Sequence, residues 1–354
     1  MNHIKNSFST HQSPPKELLS SLLEHYQNGR FEEVENLAVS ITQNFPKHQF
    51  AWKVLGAVLG LTGRKSEAVD ANQTAVTLSP QDPAAHSNLG ITLNELGRLE
   101  EAEASLRQAI ALKPNFAEAH SNLGITLHES GRLEEAEASL RQAIALNADY
   151  AEAHSNLGDT LKELGRLNDA EASYKRAIAL NADYAETHSN LGVTLKELGR
   201  LEEAEASLRQ AIALKPDYAE AHSNLGITLH ELSRLVEAEA SYLQAIALNP
   251  NYGEAHSNLG MTLQKLVRLE ESETSFAKAI ELQPDNAEAH CNLGKVLYAF
   301  GNKNSALRSI ERANVLDPQS KYISLLFNVL KARKMRENNE VSKEDITTSD
   351  CITK

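Results

Sequence analysis

Seven histidines and seven asparagines recur along the chain at a constant interval of 34 residues. The histidines are His86, His120, His154, His188, His222, His256 and His290. Imidazole is a common metal ligand, so a ladder of metal sites is the first chemistry to test. If each interval is one pair of helices, equivalent residues lie about 8–10 Å apart, whereas zinc needs each ligand atom about 2 Å away. Neighbouring histidines therefore cannot share an ion, and we expect half-buried rings with a packing role.

The asparagines follow the histidines by two residues and are more informative. They are Asn88, Asn122, Asn156, Asn190, Asn224, Asn258 and Asn292. Asparagine is a poor helix former, so its recurrence within a helical pattern opposes local preference. Its amide offers two donors and one acceptor oxygen, which match the polar groups of a peptide bond. These residues are candidate peptide-binding groups, but two alternatives stay open: bonds that fix helix stacking, and passive inheritance through recent duplication.

Compact catalytic signatures do not occur in the sequence. There is no HExxH, no GxxxxGK[ST], no GxGxxG after a strand and no GxSxG. A catalytic site needs unlike groups converging on one point, and near-identical units multiply like groups along a line instead. The sequence therefore predicts no enzyme activity, no cofactor and no metal site.

Charge and composition narrow the class of partner. The formal net charge is -13, from 48 acidic and 35 basic residues, so the basic footprint of a nucleic-acid binder is missing. The two cysteines, Cys291 and Cys351, form no disulfide framework. The first residues, MNHIKNSFSTHQSPP, lack the apolar core of a signal peptide, and no apolar run reaches the roughly 18 residues of a membrane span. We expect a cytoplasmic protein without membrane attachment.

Internal repetition organises nearly the whole chain. The segment GRLEEAEASLRQAIAL occurs three times, and alignment on AHSNLG gives repeats that start at 49, 83, 117, 151, 185, 219, 253 and 287. Residues 15–48 fit the frame loosely. Each repeat carries two apolar stripes at helical spacing, which predicts two helices and an all-α fold. The eighth residue of each repeat is glycine inside a helix, where it costs about 1 kcal/mol, so we expect close helix contact there.

The turn between paired helices is glycine in most repeats but Ser233 and Val267 in two. Because a β-branched residue is an outlier at positive φ, we expect the turn at Val267 to use negative φ and to differ from its glycine counterparts.

A 34-residue helix-turn-helix unit with a small eighth residue, Ala at the twentieth and twenty-seventh places and Pro near the end resembles the tetratricopeptide repeat family. The resemblance implies a right-handed superhelical solenoid whose first helices line a concave groove. It also implies a disordered head at 1–14, a degenerate repeat at 15–48, eight repeats over 49–320, a capping helix at 321–336 and a disordered polar tail at 337–354.

Two subtypes of this family bear on the ligand. AHSNLG and the row of asparagines are similar to the repeats of O-linked N-acetylglucosamine transferases, although no residues remain here for a catalytic domain. The carboxylate clamp of chaperone-binding repeats is matched by Lys53 and Asn88. It is contradicted by Ala57, Glu118 and Asn122, which puts recognition of an acidic C-terminus in doubt.

Together these features predict a non-catalytic scaffold that binds an extended peptide or partner segment in the groove. The alternative is a recruiting subunit that works with a separately encoded enzyme, such as a protein O-glycosyltransferase. The basic amphipathic segment KYISLLFNVLKARKMR suits a membrane surface or a partner's groove, but a solenoid also needs an apolar helix on its last repeat, which we favour. The oligomeric state is left open.

Overall fold

The computed structural model describes residues 13–352, with side chains described to residue 336. Within this part of the chain all regular structure is helical, which confirms the predicted fold class. The helices are α1 (Lys16–Gln27), α2 (Phe31–Asn44), α3 (Gln49–Leu61), α4 (Lys65–Leu78), α5 (Pro83–Glu95), α6 (Leu99–Leu112), α7 (Ala117–Glu129), α8 (Leu133–Leu146), α9 (Ala151–Glu163), α10 (Leu167–Leu180), α11 (Ala185–Glu197), α12 (Leu201–Leu214), α13 (Ala219–Glu231), α14 (Leu235–Leu248), α15 (Gly253–Lys265), α16 (Leu269–Leu282), α17 (Ala287–Ala299), α18 (Lys303–Leu316) and α19 (Lys321–Ile352).

The helices pack as consecutive antiparallel pairs, one pair to each repeat. The chain forms two compact units, which divide after Ala182. In the first unit, α3, α5, α7 and α9 contact one another in order, and in the second unit α11, α13, α15 and α17 do the same. Each unit therefore presents a layer made of the first helices of its repeats.

Glycine at the eighth place allows the two helices of a pair to approach closely. A Cβ on Gly158 would lie 2.5 Å from Cε1 of Tyr174, and the same clash would occur between Gly124 and Leu140. Tyr174 and Leu140 are fully buried, as are the alanines at the twentieth and twenty-seventh places. The expectation of close helix contact at this glycine is confirmed.

The prediction for the turn at Val267 is wrong. Val267 has φ 63° and Ser233 has φ 62°, in the same left-handed region as Gly131 at 72°. The hydrogen bonds are also equivalent, since Arg268 N donates to Leu263 O at 2.9 Å just as Arg132 N donates to Leu127 O at 2.9 Å. The packing of the flanking helices sets this backbone conformation, and valine adopts it despite the steric cost to its Cβ.

The chain ends differ from expectation in one respect. Helix α19 continues to Ile352, beyond the end at 336 that the sequence indicated for a capping helix. No proline or glycine occurs between Lys321 and Ile352, so nothing in the local sequence forces the helix to stop. Residues 1–12 and 353–354 lie outside the described residues, and with them most of the predicted head and the end of the predicted tail. Across residues 13–352, no helix combines the length and apolar character needed to cross a membrane.

Candidate peptide-binding face

The recurrent histidines are half-buried and bond to the backbone of the preceding junction. Nε2 of His86 lies 3.0 Å from the carbonyl oxygen of Pro80, and Nε2 of His222 lies 3.1 Å from that of Pro216. Trp52, at the same place in its repeat, donates from Nε1 to the Pro46 oxygen at 2.8 Å. Histidine therefore replaces tryptophan as the ring that ties each first helix to the turn before it. Among the described residues, no group of His, Cys, Asp and Glu is placed to hold a metal ion.

The recurrent asparagines lie on the first helices of their repeats. Their side chains are half-buried, except that of Asn292, which is 5% exposed. Five of the amides make no hydrogen bond within the described residues: those of Asn88, Asn122, Asn156, Asn224 and Asn258. The Nδ2 of Asn292 is buried and also lacks an acceptor. For these six asparagines, no side-chain bond to a neighbouring helix is present within the described residues.

A row of glutamates accompanies the asparagines, four residues before all but the first of them. The row consists of Glu118, Glu152, Glu186, Glu220, Glu254 and Glu288. Residues four apart on a helix are neighbours on one face, so each carboxylate lies beside an amide. We call the surface that these glutamates and the asparagines form within each compact unit the amide face. Within the described residues, Glu118, Glu220, Glu254 and Glu288 make no ion pair.

Glu186 has a cationic partner inside its own repeat. Lys215 Nζ lies 2.8 Å from Glu186 Oε1. The same ammonium lies 4.8 Å from the centroid of the Tyr218 ring. The hydrogen bond to Lys215 lowers the pKa of Glu186, and the carboxylate raises the pKa of Lys215 in turn.

Aromatic residues occupy the last place of five repeats, and the sequence predictions above did not include them. They are Phe116, Tyr150, Tyr184, Tyr218 and Tyr252, and their regular spacing is the signal that could have found them. Tyr252 is half-buried, and burial raises the pKa of its phenol. A hydrogen bond with Ser223 opposes this rise, and the nearby carboxylates of Glu220 and Glu254 add to it, so Tyr252 lies close to carboxylates of the amide face.

The second helices carry a different polar arrangement. Arg132, the residue immediately before α8, bonds Glu135 of α8 at 2.6 Å and Glu103 of α6 at 2.8 Å. Corresponding forks join Arg166 to Asp169 and Glu137, and Arg234 to Glu237 and Glu205. We call this surface of arginines and their acidic partners the arginine face. Its acids are neutralised by the chain itself.

One of the two residues that match the carboxylate clamp has a partner within the chain. Lys53 Nζ forms an ion pair with Asp82 at 2.8 Å, so the lysine that a carboxylate clamp would use already has a partner within the chain.

Ile323 and Leu330 of α19 are buried, and α19 packs on α18, as expected for an apolar helix laid on the last repeat. Arg333 also donates to the Tyr298 hydroxyl at 2.8 Å, so part of the basic segment bonds to the repeats themselves.

Comparison with family models identifies the repeats. A model described as TPR repeat matches residues 92–131, 126–165, 158–199, 194–233 and 268–301. A model described as tetratricopeptide repeat matches residues 219–252. Together these matches cover more than half of the 354 residues. No curated protein matches the chain significantly.

Solved structures share the fold at low sequence identity. In the crystal structure of the APC/C hetero-tetramer Cut9-Hcn1, the matched chain is 16% identical with a TM-score of 0.61. The match covers 84% of this chain and 59% of that one, so the present chain spans less than two thirds of the length of that chain. The structure of Pseudomonas aeruginosa pilF is 22% identical with a TM-score of 0.55, over 61% of this chain and 97% of that one. At these identities the likeness concerns the fold alone.

Proposed function

Because the chain belongs to the tetratricopeptide repeat family, we propose that it is a non-catalytic scaffold that binds an extended peptide segment of a partner protein on its amide face. The observation that carries this proposal is the set of five half-buried asparagine amides without hydrogen-bond partners in the described residues. A half-buried amide that bonds nothing in its own protein is available to a ligand. An extended peptide offers a donor and an acceptor at every residue, and the amide matches both.

The repetition of the asparagines favours a ligand that itself repeats. Asn224 and Asn258 occupy equivalent places in α13 and α15, which contact each other in the second compact unit. Equivalent side chains on packed helices present the same contact at a constant step of about 8–10 Å. A peptide backbone repeats its polar groups at every residue, so uniform contacts along it add reach without requiring one particular side chain.

The test replaces Asn224 and Asn258 together with alanine in the full chain. Short peptides selected on the parent from a random display library serve as probes, and their affinity is measured by fluorescence anisotropy. We expect weaker peptide binding and a melting temperature no lower than that of the parent, because alanine raises helix propensity by a few tenths of a kcal/mol at each site. The matched control replaces Gln210 and Gln244 with alanine. These residues are exposed amides on second helices, so the affinity for the peptide should not change.

Two outcomes would count against the proposal. Unchanged affinity of the selected peptides would remove the asparagines from the binding site. A lower melting temperature would mean that the amides stabilise the fold, because a buried group that loses its partner costs about 1–3 kcal/mol.

The narrower hypothesis of a recruiting subunit rests on AHSNLG and the asparagine row. Under this hypothesis the scaffold brings substrates to a separately encoded enzyme, such as a protein O-glycosyltransferase. Proteins that co-purify with the intact chain distinguish the two cases. Stoichiometric recovery of one modifying enzyme supports recruitment, whereas many unrelated chains support a general peptide-binding scaffold.

A further inference from the structure

One repeat of the second compact unit contains a lysine whose ammonium group lies between a carboxylate and an aromatic ring. In residues 185–218, the Lys215 ammonium is gripped by the Glu186 carboxylate at 2.8 Å and lies 4.8 Å from the centroid of the Tyr218 ring. A carboxylate supplies charge and hydrogen bonding, and the face of an aromatic ring attracts cations through its quadrupole. These three residues occupy the second, thirty-first and last places of the repeat.

The next repeat keeps the carboxylate and the ring but lacks the cation. Glu220 and Tyr252 stand at the second and last places of residues 219–252, and Asn249 replaces the lysine. The Asn249 side chain is used within its own turn, where its Oδ1 accepts from Asn251 N at 3.2 Å. Glu220 is exposed and makes no ion pair among the described residues. The surroundings that hold Lys215 are thus repeated without an ammonium.

The position of this pair relative to the amide face indicates what would fill it. Glu220 lies one helical turn before Asn224 on α13, so the carboxylate and the amide are neighbours on one face. A peptide whose backbone bonds the Asn224 amide therefore carries its side chains past Glu220 and Tyr252. A side chain with a long apolar stem and a cationic end satisfies both the ring and the carboxylate.

We propose that Glu220 and Tyr252 form a binding site for a lysine or arginine side chain of the peptide held on the amide face. This inference rests on the proposed function and specifies the chemistry of its ligand. Lys215 is the internal counterpart of the ligand side chain, and the repeat that contains it is already filled. The partner is accordingly an extended segment that carries a basic residue in register with Asn224.

The test compares four variants of the full chain. The probe is a lysine-containing peptide enriched by display on the parent, labelled with fluorescein. Glu220→Gln should weaken its binding about three- to tenfold, the range expected for a partly exposed ion pair with a cation–π contact. Asn249→Lys should weaken it similarly, because an internal lysine then occupies the site. Lys215→Asn should strengthen binding, because it empties the equivalent site at Glu186 and Tyr218.

The control is Glu202→Gln, which makes the same charge change at an exposed position on α12, away from the amide face. It should leave affinity within twofold of the parent, about 0.4 kcal/mol. Melting curves of all four variants show whether any change in binding reflects lost folding. The peptide with acetylated lysine should bind the parent about as weakly as the original peptide binds Glu220→Gln.

The inference is overturned if Glu220→Gln and Glu202→Gln weaken binding equally, since only overall charge would then matter. It is also overturned if the enriched peptides lack basic residues or if Lys215→Asn leaves affinity unchanged. The broader proposal fails separately, when the Asn224 and Asn258 alanine variant binds the selected peptides as the parent does. If only the Asn224 and Asn258 alanine variant loses binding, the proposed peptide scaffold is supported and the proposed site for a basic residue is wrong.

Discussion

The arginine face and the amide face are both polar, but they differ in whether their polar side chains have partners within the chain. On the arginine face, Glu137 accepts from Arg141 of its own helix at 2.9 Å and from Arg166, the residue immediately before α10, at 2.8 Å. On the amide face, Glu220 and Glu254 make no ion pair within the described residues, and the amides beside them make no hydrogen bond. The arginine face is satisfied by its own chain, whereas these two carboxylates and their neighbouring amides are left open.

This difference distinguishes polar side chains that stabilise the fold from polar side chains that are available to a ligand. Burial alone would raise the pKa of Glu137, but the two arginines outweigh it and lower the pKa. Glu205 shows the same balance between burial and its partners Arg209 and Arg234. Such carboxylates are held in place by their partners. A carboxylate or amide that lacks a partner gains one only from outside the chain, so the amide face is where a ligand is expected.

The largest expected effect concerns an asparagine amide placed in the core instead of on the amide face. Asn72 is fully buried opposite Gly56, and its Oδ1 has no hydrogen-bond partner. Equivalent places hold Leu106 and Leu140. Asn72→Leu should therefore stabilise the protein by about 1–3 kcal/mol, the cost of a buried unsatisfied polar group. Urea unfolding of the variant and the parent measures this difference. A destabilised variant would show that the amide of Asn72 is satisfied and that the contrast with the amide face is wrong.

A smaller effect is expected from removing one charge on each face. Glu137→Gln takes the negative charge from between two guanidinium groups, and the Glu137 side chain is only 16% exposed. We expect a loss of about 1 kcal/mol in the free energy of unfolding, consistent with a partly buried charge network. The matched change Glu220→Gln on the amide face should leave stability within a few tenths of a kcal/mol. Equal losses in chemical denaturation would abolish the distinction between the two faces.

The smallest expected effect concerns His230, a side chain of a first helix that bonds a neighbouring first helix. Its Nδ1 lies 2.8 Å from Thr262 Oγ1. Burial lowers the pKa of this imidazole and nearby Lys265 lowers it further, against an opposing effect of Glu231. The unfolded chain then binds the proton more tightly, so the contribution of neutral His230 is present above about pH 6.5 and is lost as pH falls below it.

Melting curves near pH 7.5 and near pH 5.5 test this sign. The parent should lose more stability between the two conditions than His230→Gln does. Identical pH dependence in both proteins would mean that folding does not lower the pKa of His230. The bond to Thr262 would then contribute nothing to the pH dependence of stability.

Much of the fold was determined by the sequence alone, because its signals are local and repeated. The 34-residue interval, the two apolar stripes and the glycine opposite Leu140 or Tyr174 require only helix geometry to interpret. The sequence also indicated which residues oppose local preference, and this singled out the asparagines. It could not say whether their amides bond a neighbouring helix, because that depends on distances between repeats.

Other features were decided only by the tertiary structure. Val267 adopts positive φ against its own preference because the flanking helices pack as they do in every other repeat. The bond between Arg166 and Glu137 and the bond between Lys215 and Glu186 each join residues 29 positions apart in sequence. A side chain's partners follow from the packing of whole helices, and the packing energy of a repeat exceeds the preference of any single turn residue or surface charge.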